Sequence, residues 1–235
     1  MSYAYDQGVI AAMAPADARA SFIRRTYAHL AGAILAFAGI EFAIFRLVPE
    51  QTLHNFIVSA FAGPMVFVML ILFVVVSYVA ERWAMSSTSQ GMQYAGLSLY
   101  VALEAFIFLP ILYIADHKFP GAIQSAGLMT LFVFAGLSGA VLFTQKDFSF
   151  LGPILSVGFL VALGFIVAGL IFQFPLGLFF SFAMVALACA CILYQTSNVM
   201  HHYRTDQAVA ASLALFAAVA LLFYYILRIA MQSRE

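Results

Sequence analysis

The chain has 235 residues, of which 65% are hydrophobic and 9% charged, whereas soluble domains have about 45–50% and about 25% respectively. Its acidic and basic residues cancel, so no electrostatic partner such as nucleic acid is indicated. These values exclude a soluble globular protein and predict a polytopic membrane protein whose main solvent is the lipid bilayer.

Long apolar runs between polar breaks predict the membrane-crossing helices, because a helix needs about 20 apolar residues to cross the hydrocarbon core. The runs are 24–47, 55–80, 92–114, 121–143, 150–171, 174–197 and 207–231. They are too long and too continuous for the strands of a β-barrel. We therefore predict an all-α membrane protein with a seven-transmembrane-helix bundle at residues 23–235. Six spans and a re-entrant segment would also fit the pattern.

Residues 1–22 are interpreted as a flexible polar N-terminal tail. They contain no apolar segment of the signal-peptide type, so the first helix is expected to act as the targeting signal. Lys and Arg decide the orientation, and Arg24 and Arg25 lie together at the start of the first run. We predict the N-terminus inside and the C-terminus outside.

Two acidic residues fall within the predicted spans, where a charge is costly and often functional. Glu104 lies near the middle of the third run, on one helical face with Gln93 and Tyr100. We expect a protonated, hydrogen-bonded acid and consider it a candidate proton or cation site; a neutral acid that ties helices together is the alternative. Glu41 is a second candidate, although it lies near the outer end of its helix, where it could reach interfacial water.

The sixth run ends in a polar stripe at helical spacing, formed by Cys191, Gln195, Asn198 and His202. It leads to the membrane face that also carries Arg82 and His201. We interpret this face as a gate or a docking surface; the alternative is a polar helix end that enters water. The two histidines have no acid or thiol at ligand spacing, so no metal is expected. Cys189 and Cys191 point away from each other on a helix and are not expected to form a disulfide.

Small residues at four-residue spacing are expected to let helices pack closely, among them Gly32, Gly139 and Gly164. Gly136-Leu137-Ser138-Gly139 has the pattern of an intramembrane serine protease, but the sixth span offers no histidine base to activate the serine, since His201 and His202 lie beyond its end. The prediction is a protein that is not an enzyme and needs no cofactor.

Two polar breaks carry recognisable motifs. Residues 146–152 read Lys-Asp-Phe-Ser-Phe-Leu-Gly and resemble the Lys-Asp-x-Ser-Phe-Leu motif of the Bax inhibitor-1 family. Residues 192–201 resemble its helix-six motif, and residues 22–27 and 104–111 are similar to its first and third helices. The resemblance extends from about residue 22 to about residue 230 in order and register, and the bacterial YccA-like branch is the most similar.

The resemblance implies a seven-helix fold with a central helix wrapped by the others. It also implies a pH-sensitive calcium leak, which some members gate with paired carboxylates on helices six and seven and an arginine at the inner end of helix two. Two acids that share a proton can form such a switch. In this chain the two acid positions are Gln195 and Ala218, and Arg82 alone matches, so the di-carboxylate gate is missing.

The resemblance implies a second activity, because YccA-like members bind the membrane-anchored AAA protease FtsH and its prohibitin-like partners and inhibit degradation of membrane substrates. A polar N-terminal tail suits engagement by an unfoldase. The resemblance therefore implies a multi-pass bacterial inner-membrane modulator of an FtsH-type protease. The alternative is a pH-sensitive leak for calcium, another cation or protons, without the family's gate.

Overall fold

The computed structural model describes residues 8–61, 63–86 and 89–234. Within these ranges the chain forms a short 3₁₀ turn at Ala11–Met13 and eight α-helices, and it contains no strand. The helices are α1 (Ala16–Leu47), α2 (Glu50–Phe61), α3 (Met65–Ala84), α4 (Gln90–Lys118), α5 (Ala122–Thr144), α6 (Leu151–Phe172), α7 (Leu178–His201) and α8 (Ala208–Gln232).

Seven of these helices, all except α2, are long and apolar enough to cross a membrane. Helix α2 has 12 residues, fewer than the roughly 17 that a crossing requires. The predicted all-α fold with seven transmembrane helices is therefore confirmed. The direction in which the helices cross, with the N-terminus inside, stays a prediction.

The second predicted span differs from the structure. A continuous helix over 55–80 is wrong, because α2 ends at Phe61 and α3 begins only at Met65. Gly63 adopts a left-handed conformation with φ of 58°, which a helix cannot contain. Pro64 follows it, lacks a backbone N–H, and disfavours helical geometry in the residue before it. The apolar run thus continues through a backbone break.

Helix α1 begins at Ala16, within the segment 1–22 that the sequence analysis assigned to a flexible tail. Residues 1–7 of that predicted tail lie outside the described residues. The buried residues of α1 are spaced three or four apart from residue 22 to residue 33, as one face of a helix requires, and the next one follows eight residues later. They are Phe22, Thr26, Leu30, Ala33 and Glu41.

The chain divides into two compact units. The first contains Met1–Pro110 and Tyr203–Phe216, and the second contains Ile111–His202 and Ala217–Glu235. In the first unit, α2 packs against α3, and in the second, α7 packs against both α5 and α6. Both α4 and α8 contribute to each unit, since two of the three boundaries fall inside these helices.

Close helix packing in the first unit depends on Gly96 of α4. A Cβ atom added there would lie 2.5 Å from the Ala80 carbonyl oxygen and 2.5 Å from the Ala84 amide nitrogen of α3. Gly32 and Gly164, by contrast, have no atom within 4 Å of the corresponding position. The expectation that these two glycines allow close helix approach is therefore not met among the described residues, since no neighbouring helix comes within 4 Å of either Cβ position.

Candidate functional site

The loop between α5 and α6 is bonded to the last turns of α7, within the second unit. The Asp147 Oδ1 atom accepts hydrogen bonds from the Ser149 amide at 2.8 Å and from the Ser197 hydroxyl at 3.2 Å. The Ser197 Oγ atom in turn accepts a hydrogen bond from the Phe148 amide at 2.8 Å. The two motifs recognised in the sequence therefore form one polar cluster, which we call the Asp147–Ser197 cluster.

The same two segments also touch through apolar atoms. A Cβ atom at Gly152, at the start of α6, would lie 3.3 Å from the Tyr194 ring of α7. This spacing leaves room for a glycine and crowds any larger residue. The close approach of α6 to α7 thus explains why a glycine ends the loop motif at the point where it faces the tyrosine of the α7 motif.

Ser138 of the Gly-x-Ser-Gly segment also contacts α7. Its hydroxyl lies 3.2 Å from the Thr196 hydroxyl, and the hydrogen bond is buried. Ser138 is 3% exposed and Thr196 is fully buried. The serine therefore bonds α5 to α7, which accounts for a polar residue at this position without any role as a nucleophile.

Asp147 has an electrostatic environment that favours its charged form. The Ser149 backbone N–H lowers the pKa of the Asp147 carboxyl; partial desolvation opposes this, and the hydroxyls of Ser149 and Ser197 and the charge of His202 add to it. Because each of these donors interacts better with a carboxylate than with a neutral acid, the cluster is strongest when Asp147 is ionised.

Asp147→Asn is expected to lower the stability of the loop at neutral pH but not at low pH. The folded-state pKa lies below the ordinary value of 3.8, so the carboxylate contributes stability above that value and loses it as the pH falls through the folded pKa. The thermal midpoint in detergent should fall by a few degrees at most, since the group is exposed to solvent. Asp116→Asn, at an exposed residue with no such bonds, is the matched control. A difference in thermal midpoint between the wild type and Asp147→Asn that persists unchanged below pH 3.8 would contradict this account.

The polar residues at the end of α7 mostly bond within their own helix. The Asn198 side-chain amide donates to the Gln195 carbonyl at 3.4 Å, and His201 Nδ1 lies 3.0 Å from the Ser197 carbonyl oxygen. His202 is exposed and follows the last residue of α7. Among the described residues, no group of three or more His, Cys, Asp and Glu could hold a metal ion.

The three family gate positions have separate local environments. Arg82, exposed on α3, donates from Nε to the Tyr78 hydroxyl at 3.1 Å and lies 5.1 Å from the centroid of the same ring. Ala218 of α8 is 2% exposed. Gln195 can exchange hydrogen bonds but does not titrate. No residue at these positions other than Arg82 carries a charge.

Glu104 and the residues on its helical face are buried within α4. Glu104 is 6% exposed, Tyr100 is 5% and Gln93 is 8%. The Tyr100 hydroxyl donates a hydrogen bond to the Glu104 carboxyl, and the Gln93 amide donates to the Ser86 carbonyl at 2.7 Å. The third span therefore presents a buried polar stripe that ends in an acid with a hydrogen-bond partner.

Glu41 of α1 has a different environment. It is 6% exposed, and neither of its carboxyl oxygens has a hydrogen-bond partner among the described residues. A buried polar group without a partner costs free energy. The sequence suggested that Glu41 could reach interfacial water, and its burial does not fit that alternative.

The segment before α1 pairs with the α7–α8 loop within the first unit. The Ala11 amide donates to the Tyr203 carbonyl and the Thr205 amide donates to the Val9 carbonyl, both at 2.9 Å. The Arg25 guanidinium adds a bond to the Thr205 carbonyl at 3.0 Å. We call residues 8–14 the N-terminal arm, and these bonds attach it to the α7–α8 loop at Tyr203 and Thr205.

Comparison with known proteins identifies relatives along the whole chain. The family described as inhibitor of apoptosis-promoting Bax1 matches residues 19–235. The uncharacterized protein PA2604 of Pseudomonas aeruginosa is 33% identical over 213 residues, which are 88% of this chain and 87% of that protein. The match is therefore nearly complete in both directions.

Two further relatives match over shorter lengths. The modulator of FtsH protease YccA of Escherichia coli is 36% identical over 101 residues, which are 43% of this chain and 46% of YccA. A BI1-like protein of Arabidopsis thaliana is 31% identical over 119 residues, which are 47% of this chain and 45% of that protein. With the family match and the seven apolar helices, these similarities show that the chain belongs to the Bax inhibitor-1 family.

Proposed function

We propose that this chain is a multi-pass protein of the bacterial inner membrane that modulates an FtsH-type AAA protease as a binding partner. The observation that carries the proposal is the similarity to the modulator of FtsH protease YccA, at 36% identity over 101 residues. YccA of another E. coli strain is named inner membrane protein YccA, which supports the location.

The chemistry of the gate positions also favours a binding role over a gated leak of the family's type. Gln195 and Ala218 stand where the resemblance implies two titrating acids. An amide and a methyl group cannot share a proton, so the switch that two close carboxylates form does not operate here. A binding partner needs only a stable bundle and an accessible surface.

The surface that we propose for the protease is the end of α7 in the second unit. It presents His202, which is exposed, and the partly exposed His201 and Asn198. The Asp147–Ser197 cluster holds this end of α7 in one conformation, and a rigid surface loses less conformational entropy on binding. Prohibitin-like partners of the protease are candidates for the same surface.

Co-purification from native membranes tests this proposal. A tagged chain extracted in mild detergent should retain the FtsH-type protease, and deletion of its gene should change the half-life of membrane substrates of that protease. The double variant Asn198→Ala, His202→Ala should reduce recovery of the protease, whereas His117→Ala at the end of α4 should not. Loss of the protease under gentle extraction, with unchanged substrate turnover on deletion, would refute the proposal.

A second candidate function is a leak for protons or cations through the first unit. It is favoured by a specific observation, the buried Glu104 with its Tyr100 hydrogen bond, because buried acids in membrane spans commonly mark ion or proton paths. Liposomes containing the protein should then show a flux that is lost in Glu104→Gln. Equal flux in both proteins would rule the path out.

A further inference from the structure

Three phenylalanine rings from three helices form an aromatic layer in the first unit. The ring centroids of Phe37 in α1 and Phe108 in α4 are 5.1 Å apart, and the Phe216 ring of α8 lies 6.2 Å from that of Phe37. Helices α1, α4 and α8 are the first, third and seventh spans, so they cross the membrane in the same direction. The Phe37 and Phe108 rings are therefore in direct contact between the two helices, and the Phe216 ring, which also lies 6.2 Å from that of Tyr100, extends this contact toward Glu104.

The two buried acids lie on opposite sides of this layer. Glu41 follows Phe37 by one helical turn on α1, whereas Glu104 precedes Phe108 by one turn on α4. Residues four apart share a helix face and differ in height by about 6 Å. Since α1 and α4 run in the same direction, the backbone positions of the two acids are separated along the helix axes by about 12 Å.

We infer that the first unit contains a divided proton path, with Glu41 as one proton site, Glu104 and Tyr100 as the other, and the Phe37–Phe108–Phe216 layer as the barrier between them. This inference rests on the second candidate function and deepens it. It identifies both the ion and the element that blocks its passage.

The donor set selects a proton over calcium. Calcium takes roughly 6–8 oxygen ligands, whereas Glu104 has one hydroxyl partner and Glu41 has no hydrogen-bond partner among the described residues. A proton needs one carboxyl oxygen and leaves the acid neutral, which is the form that an apolar environment favours. Each acid is therefore suited to carry a proton and unsuited to hold a calcium ion.

The aromatic layer accounts for the separation of the two sites. Phenylalanine rings offer no group that can donate or accept a proton, and direct proton transfer needs heavy atoms within hydrogen-bond distance, about 2.6–3.2 Å. A distance of about 12 Å across packed rings exceeds that reach several times. Passage of a proton thus requires displacement of a ring, and Phe37, which contacts both of the others, is the ring whose removal opens the layer.

Flux measurements on proteoliposomes test this inference. Phe37→Ala should raise proton influx, read with an entrapped pH-sensitive dye, by at least about tenfold, which is a barrier lowered by ~1.4 kcal/mol. Phe37→Leu should stay near the wild type because it keeps the layer filled. Phe132→Ala is the matched control, since Phe132 is 76% exposed on α5. The Phe37→Ala leak should disappear when Glu104→Gln is added.

Calcium flux and a second ring variant complete the test. An entrapped calcium dye should show no rise in Phe37→Ala, and calcium entry that matches proton entry would overturn the assignment of the ion. If neither Phe37→Ala nor Phe216→Ala, each eluting as folded protein, raises proton influx, the barrier is refuted. In that case the second candidate function would still be supported if the wild type shows a proton flux that Glu104→Gln abolishes. Failure of the barrier can therefore be distinguished from failure of the second candidate function.

Discussion

Replacing Gly96 with alanine is expected to remove most of the folded protein from the membrane, although alanine is the better helix former. The added Cβ atom would lie 2.5 Å from both the Ala80 oxygen and the Ala84 nitrogen, and 3.0 Å from the Trp83 Cβ atom. Two of these are backbone atoms of α3 and cannot rotate away. Helices α3 and α4 would therefore have to separate, which affects every contact between them.

The expected cost is at the upper end of the range for overpacking, about 3 kcal/mol or more. That is a large share of the roughly 5–15 kcal/mol that stabilises a folded domain. The measurement is the yield of monodisperse protein in detergent together with its thermal midpoint. Both should fall strongly in Gly96→Ala.

Gly32→Ala is the matched control because the same atom is added to a glycine of α1 that has no atom within 4 Å of the Cβ position. Its thermal midpoint should stay the same or rise slightly, since alanine favours a helix by about 0.8–1.0 kcal/mol over glycine. A Gly96→Ala protein as stable as the wild type would mean that α3 and α4 can shift apart at little cost, contrary to this account.

The spans could be predicted from the sequence because length and apolarity are local properties. Each crossing helix needs its own run of about 20 apolar residues, and that condition can be checked without knowledge of any neighbour. The break at Gly63 and Pro64 was missed for the same reason. Both residues lie within an apolar run, and a hydropathy pattern contains no information on the left-handed backbone at Gly63.

The spacing of the glycines predicted the wrong helix contacts. Spacing is a property of one helix, whereas close packing depends on two helices. Gly32 and Gly164 have the four-residue spacing of packing motifs, yet within the described part of the chain no atom of another helix lies within 4 Å of their Cβ positions. Gly96 has no such spacing and lies directly against the backbone of α3. The signal available in the sequence was the small Ala80 and Ala84, which follow each other at that spacing on α3.

The Asp147–Ser197 cluster joins residues that are 50 positions apart. Sequence alone could place Asp147 in a loop motif and Ser197 in a helix motif, but it gave no distance between them. Asp147 was therefore absent from the candidate residues, although the Asp-x-Ser pattern of a short turn was visible. The tertiary fold turns two separate motifs into one structure that fixes the end of α7.

The sequence identified the acids within the spans as candidate functional residues, but it did not predict the environment of each carboxyl. Glu104 was expected to be buried because it lies in the middle of a span, and it is 6% exposed. Glu41 has the same exposure, although its position near the end of α1 suggested contact with water. Burial there depends on the neighbouring helices, and these cannot be read from the sequence of α1.

Replacing Glu41 with methionine is expected to stabilise the protein. The carboxyl is buried and its two oxygens have no hydrogen-bond partner among the described residues, so the wild type carries a desolvation cost that a thioether of similar size does not. An unsatisfied buried polar group costs about 1–3 kcal/mol, and the thermal midpoint should rise accordingly. Glu104→Met is the comparison, because it sacrifices the Tyr100 hydrogen bond and should gain less.

A stabilising Glu41→Met would also bear on function. An acid that lowers stability is retained at the expense of the fold, as is common for residues that act in binding or transport. The stabilised protein should then lose the proton influx that Phe37→Ala creates, since one of the two proton sites is gone. If Glu41→Met instead lowers the thermal midpoint by more than Glu104→Met does, the Glu41 carboxyl makes a favourable interaction in the membrane and is a structural residue.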